Sequence, residues 1–165
     1  MADEIITERL RLRRARMSDL AAIHGLLSDP RNMRFWSTPP HTSLYQSEAW
    51  LRSMVDADPS TSDDFIVERN GQPIGKLGCW QLPEVGFMIA SDETGKGYAT
   101  EAMAAFLERR RGLGEPSTLT ADVDPRNEAS LRLLARHGFV ETGRVKGSWT
   151  VGGEVCDSVY LALDL

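Results

Sequence analysis

The stretch Thr94-Gly95-Lys96-Gly97-Tyr98-Ala99-Thr100-Glu101-Ala102 follows a strand-like apolar run at 85–90 and opens a helical one. That order builds an anion site. Glycines let the backbone turn tightly and bring its N–H groups close to a ligand, and the first helical turn adds unpaired donors and the positive end of the dipole. Phosphate is the natural guest. A glycine pair between strand and helix also serves simply as a turn, so the reading depends on what surrounds it.

The surroundings are those of one globular domain spanning residues 1–165. The chain is 165 residues long and 41% hydrophobic, enough for a single core. Nineteen basic against 24 acidic residues leave a formal charge of −5, which argues against nucleic acid held by a basic surface. The exception is Arg11, Arg13, Arg14 and Arg16, which interleave with Leu10, Leu12 and Ala15 as in a strand with one apolar and one solvated face. Cys79 and Cys156 have no metal-ligand spacing and read as reduced thiols, and no two histidines share such spacing either, so no metal is expected. The chain shows no apolar signal segment and no run long enough to span a bilayer; the expectation is a cytoplasmic protein without membrane contact.

Hydrophobic periodicity gives the element order. A strand at 9–14 precedes a helix with Ser18 as N-cap and Leu20, Ile23, Leu26 and Leu27 on one face. A loop holding Trp36, Pro39, Pro40 and His41 follows, then a helix opened by the capping box Ser43-Leu44-Tyr45-Gln46. Asn70-Gly71 between runs at 65–69 and 72–82 predicts a two-residue hairpin turn. The run at 84–90 is apolar almost throughout, so it is expected to be buried on both faces. A helix after the glycines, a strand at 118–123, a short helix at 129–137 and strands at 147–151 and 155–163 complete an α/β (α+β) chain of about seven strands and about four helices.

The ordered pieces Thr7-Glu8-Arg9-Leu10-Arg11-Leu12-Arg13, Leu27-Ser28-Asp29-Pro30, the glycine motif, Asn127-Glu128-Ala129-Ser130 and His137-Gly138-Phe139 resemble the GNAT superfamily of acyl-CoA-dependent N-acetyltransferases, in the branch containing the ribosomal-protein N-terminal alanine acetyltransferases. The resemblance covers nearly the whole chain. It implies a mixed, mostly antiparallel twisted sheet, splayed at its two central strands, and acetyl-CoA as cosubstrate. The family's pyrophosphate motif maps onto Thr94, Gly97 and Ala99, with Gly95, Lys96, Tyr98 and Thr100 completing the cradle. Thr94 is the departure from the pattern: it offers a hydroxyl where relatives have Gln or Arg, and Lys96 next to it compensates in part. Pantetheine is implied to lie in the splay, pairing with backbone near Met88 and Ile89.

Transfer of an acyl group from a thioester to an amine needs a neutral amine, stabilisation of the developing oxyanion, and a proton for the thiolate. The resemblance assigns the amine's proton to Glu84, whose simpler reading is a solvated strand-end carboxylate. It assigns the thiolate's proton to Ser130. Asn127 would bond the pantetheine arm or cap the helix. Trp36 and His41 would wall the pocket for the acceptor, a protein N-terminus or small-molecule amine. A monomer or homodimer is expected. Two other readings compete: a CoA-binding domain without transfer activity, prompted by Thr94, and a dinucleotide-binding oxidoreductase, prompted by Gly95-x-Gly97 with Asp122 or Asp124 downstream. Against the latter stand Thr100 in place of the third glycine and a C-terminus ending in a hairpin.

Overall fold

In the computed structural model, which describes residues 3–165, β5 (Glu84–Ile89) lies at the centre of one sheet and runs straight into the glycine turn. The other strands are β1 (Glu4–Ile6), β2 (Arg11–Arg13), β3 (Asp63–Arg69), β4 (Gln72–Gln81), β6 (Thr118–Val123), β7 (Val140–Val151) and β8 (Glu154–Asp164). The sheet order is β1-β2-β3-β4-β5-β6-β8-β7, antiparallel throughout except between β5 and β6. The helices are α1 (Leu20–Leu27), α2 (Pro30–Met33), α3 (Leu44–Val55), α4 (Tyr98–Leu113) and α5 (Glu128–Arg136).

The two faces of the sheet carry separate cores, because strand side chains alternate. On β3, Phe65 and Val67 join the larger core with Phe106 and Leu107 of α4 and Leu134 of α5, while Ile66 joins the smaller one under α1 and α3 with Ile23 and Leu51. β5 contributes Val85 to the first and Met88 to the second. The run expected to be buried on both faces is buried at Val85 and Met88 and half-buried at its other apolar positions, with Glu84 exposed.

Local signals hold where the chain's own chemistry decides. Asn70 and Gly71 take φ of 50° and 78°, the left-handed pair that a tight hairpin needs. Ser43 and Gln46 form the capping box, with Gln46 N–H donating to Ser43 Oγ at 3.3 Å and Ser43 N–H to Gln46 Oε1 at 3.2 Å. Three expectations are corrected. The count rises to eight strands and five α-helices among the described residues, through β1 and the short α2. Ser18 caps no helix; the chain enters α1 through a 3-10 turn at Met17–Asp19, where Arg16 N–H donates to Asp19 Oδ2 at 2.9 Å. The arginine cluster is solvated only at Arg11 and Arg16; Arg13 is buried between Asp19 at 2.8 Å and Glu68 at 2.6 Å, and the half-buried Arg14 reaches Asp63 at 2.9 Å. Burial alone would raise the Asp63 carboxyl, but Arg109, Arg110 and Arg14 outweigh it and hold it below its ordinary range.

One close approach fixes the seat of β5. A Cβ at Gly75 would lie 2.0 Å from the Met88 carbonyl oxygen, so glycine there lets β4 and β5 pair at full closeness. Gly75→Ala is expected to cost at least about 3 kcal/mol, above the usual range for overpacking because the clash is with backbone. Gly25→Ala, in open space within α1, should raise stability by about 0.5–1 kcal/mol. Urea denaturation of the two variants checks both signs.

Candidate active site

β5 and β6 touch at one register pair, Glu84 with Thr120, supported by the Thr120 N–H donating to the Pro83 carbonyl at 3.0 Å. Beyond it they part. The splay expected at the two central strands is present, and it leaves the β6-facing backbone groups of β5 without a strand partner. Buried N–H and C=O groups need one, which makes the gap a place for an extended polar ligand.

Two cavities occupy the gap. One, of about 240 Å³, is lined by the first half of β5 with Glu84 and Phe87, by Asp122 and Asp124 after the splay, and by Trp149 of β7. The other, of about 590 Å³, is lined by Phe87, Met88, Ile89, Thr94, Gly95 and the start of α4. Trp36, Phe87, Asn127 and Ser130 belong to both, so the cavities meet there.

The larger cavity ends in the glycine cradle. Gly95 and Gly97 have φ of 76° and 83°, and α4 starts directly after Gly97, so its first N–H groups face the cavity floor. The cradle is bolted from behind. Arg9 donates to the Lys96 carbonyl at 2.8 Å and, through Nε, to Glu101 at 2.6 Å, while Thr7 Oγ1 donates to the same carboxylate at 2.6 Å. Burial works to raise the Glu101 carboxyl, but the bonds from Thr7 and Arg9 prevail and lower it.

Several expected site residues behave differently from expectation. Thr94 spends its hydroxyl on the Ser91 carbonyl at 2.8 Å, and Lys96 pairs with Glu93 at 3.1 Å and does not line the cavity. Tyr98 lines the larger cavity but is mostly buried in the larger core, with its ring flanked by the guanidinium groups of Arg9 at 4.6 Å and Arg69 at 5.2 Å. His41 lines neither cavity; its Nδ1 lies 2.9 Å from Ser47 Oγ, which also meets His24 Nδ1 at 2.7 Å. Burial, then His24, lowers the His41 pKa below its ordinary range. Asn127 caps α5, accepting from Ser130 N–H at 3.2 Å. That leaves the Ser130 hydroxyl without a partner among the described residues, in the wall common to both cavities.

Positive charge arrives from residues the motif does not contain. Arg31, Arg34, Arg132 and Arg136 line the larger cavity, the last two one turn apart on α5. Their i,i+4 spacing was the available signal, but spacing alone does not tell which way a helix face points. Glu84 stands in the smaller cavity, where burial first and Asp122 second raise its carboxyl above the ordinary range. Among the described residues, no group of three or more His, Cys, Asp or Glu is arranged to hold a metal, and no helix is long and apolar enough to cross a membrane.

A sheet that parts beside a glycine cradle defines a class, and the comparisons give it a name. The model of the acetyltransferase (GNAT) domain matches residues 9–140, and the chain belongs to that family. It is 24% identical to an uncharacterized N-acetyltransferase, p20, of Bacillus licheniformis, covering 96% of this chain and 94% of that protein. It is 21% identical to spermidine N(1)-acetyltransferase of Escherichia coli, covering 93% and 85%. Its fold matches the RimL ribosomal L7/L12 alpha-N-protein acetyltransferase solved in complex with coenzyme A, with a TM-score of 0.87 at 18% identity over 98% of both chains.

Because Arg9 ties the cradle to α4, Arg9→Ala should loosen both. Its side chain is 41% exposed, so the ion pair is screened and the loss is set at about 1 kcal/mol, a fall in Tm of about 2–4 °C by calorimetry.

Proposed function

We propose that the protein transfers the acetyl group of acetyl-CoA to a primary amine by direct attack in a ternary complex. One observation carries the reading: the basic cavity with the cradle and the acidic cavity with Glu84 meet at Ser130 and Phe87, so two substrates entering from opposite sides converge there. The donor set suits CoA. Two glycines at positive φ and the α4 N-terminus present N–H groups, and four arginines supply charge for phosphates.

Bound acetyl-CoA would supply the acyl group as a thioester. Glu84 takes the proton that the amine nitrogen loses as its C–N bond to the acyl carbon forms, directly or through water. The free N–H groups of β5 near Met88 and Ile89 stabilise the negative charge developing on the acyl oxygen. As the C–S bond breaks and sulfur leaves with the electron pair, Ser130 passes it the hydroxyl proton and takes one back from water, so that the serine ends unchanged. Trp36 walls the junction, while His41 acts at a distance through the Ser47 contact that steadies α3. The cradle's function survives the Thr94 departure because its donors are backbone groups and its charge comes from α2 and α5.

The reading places the whole chain in the cytoplasm as one catalytic domain, where thiols such as Cys79 and Cys156 stay reduced; burial pushes the Cys79 thiol up to about 12. Each residue invoked comes from one chain, so a monomer and a homodimer both suffice.

Glu84→Gln is expected to lower kcat by about 10²–10³-fold and Ser130→Ala by about tenfold, with calorimetric CoA affinity retained. In the wild type the rate rises with pH through the elevated Glu84 ionisation; that limb disappears in Glu84→Gln, and only the rise from the amine's own deprotonation remains. Unchanged turnover in both variants would falsify the assignment.

A further inference from the structure

The smaller cavity is the acceptor's on the reading above, and the present inference rests on that reading; its wall then decides which amine fits. Five carboxylates line it: Glu84, Asp122, Asp124, Glu154 and Asp157. Two guanidinium groups answer them. Arg126 bridges Asp124 at 2.8 Å and Glu154 at 2.6 Å, and Arg34, which lines both cavities, lies 4.7 Å over the Phe35 ring. A surplus of three negative charges remains.

Those charges are held in place by neutral donors. Trp149 Nε1 donates to Asp122 Oδ2 at 3.0 Å, and Gly147 N–H donates to Asp157 Oδ1 at 2.8 Å. Such bonds order a carboxylate without cancelling its charge. Trp36, Phe87 and Trp149 stand in the same wall, and an aromatic face attracts an organic cation. The tip of the β7–β8 hairpin packs near the loop that carries Trp36, since a Cβ at Gly152 would sit 3.8 Å from Pro39. A concave wall backed by low-dielectric protein focuses the field of its surplus charge onto whatever enters.

A monoamine accounts for one charge, and it gives that up on reaction, because the attacking nitrogen must be neutral. We infer that the acceptor is a small aliphatic amine carrying a second ammonium group, the reacting nitrogen at Glu84 and the distal one among Asp122, Glu154 and Asp157 beside Trp149. The volume of about 240 Å³ suits a chain of a few carbons. An acceptor with a carboxylate next to its amine, such as a free amino acid, meets repulsion there.

The test compares kcat/KM for 1,4-diaminobutane, butylamine, glycine and a peptide with an N-terminal alanine and neutral side chains, at saturating acetyl-CoA, by thiol release. The diamine should exceed the monoamine and the peptide at least tenfold, glycine should be poorest, and the diamine's advantage should shrink as salt rises. In the double variant Glu154→Gln, Asp157→Asn the diamine-to-monoamine ratio should fall by about tenfold. Equal or better use of butylamine or the peptide overturns the inference, as does a ratio unmoved in the variant. If no amine turns over while CoA binds, the transfer reading fails. Calorimetric titration of diamine against monoamine onto the CoA-bound protein then decides the charge preference by itself, equal affinity overturning it.

Discussion

Two neighbouring parallel strands that share a single backbone contact and then diverge set the terms for everything else in this molecule. β5 is paired with β4 on one edge, across a register shift between Gly78 and Gln81 and with Gly75 admitting the Met88 carbonyl, and nearly unpaired on the other. A sheet interior does not ordinarily tolerate such an edge, because unsatisfied peptide groups are costly when buried. Here the gap opens to both ends, and its backbone donors are available to a ligand instead of a strand.

The two ends of the gap differ in sign. Toward the cradle, arginines from α2 and α5 join helix-terminal N–H groups; toward the β7–β8 hairpin, carboxylates from β5, β6 and β8 outnumber cations. A net charge of −5 conceals this division, since it averages a basic and an acidic chamber. The polarity also separates roles: one chamber suits a phosphate-bearing donor, the other an amine. Phe87, Asn127 and Ser130 stand at the boundary because β5 and the α5 N-terminus approach each other there.

Much of this was legible before folding. β6 falls at 118–123 as read, the capping box and the Asn70-Gly71 turn form as their chemistry requires, and the glycine cradle lies between β5 and α4. The errors share a cause. β7 runs from Val140, seven residues before its expected start, because it is an exposed edge strand whose residues are under no pressure to alternate. Arg13 and Arg14 read as solvated because their partners Asp19, Glu68 and Asp63 are brought to them only by the sheet. Likewise, nothing local distinguishes His41, turned toward Ser47, from a histidine facing a pocket.

What the sequence by itself determined was each device whose parts are adjacent in the chain: caps, turns, the left-handed glycines, and the apolar runs that must be buried. These depend on local backbone sterics and on hydrophobic spacing, both readable in a line of residues. Only the tertiary structure decided what meets across distance: that Thr7 and Arg9 bolt the cradle through Glu101, that Arg132 and Arg136 face it, and that Asp122 adjoins Glu84 opposite Trp149. Charge interactions fall with separation in space and are indifferent to separation in sequence, so the electrostatics of the cleft came into being with the fold.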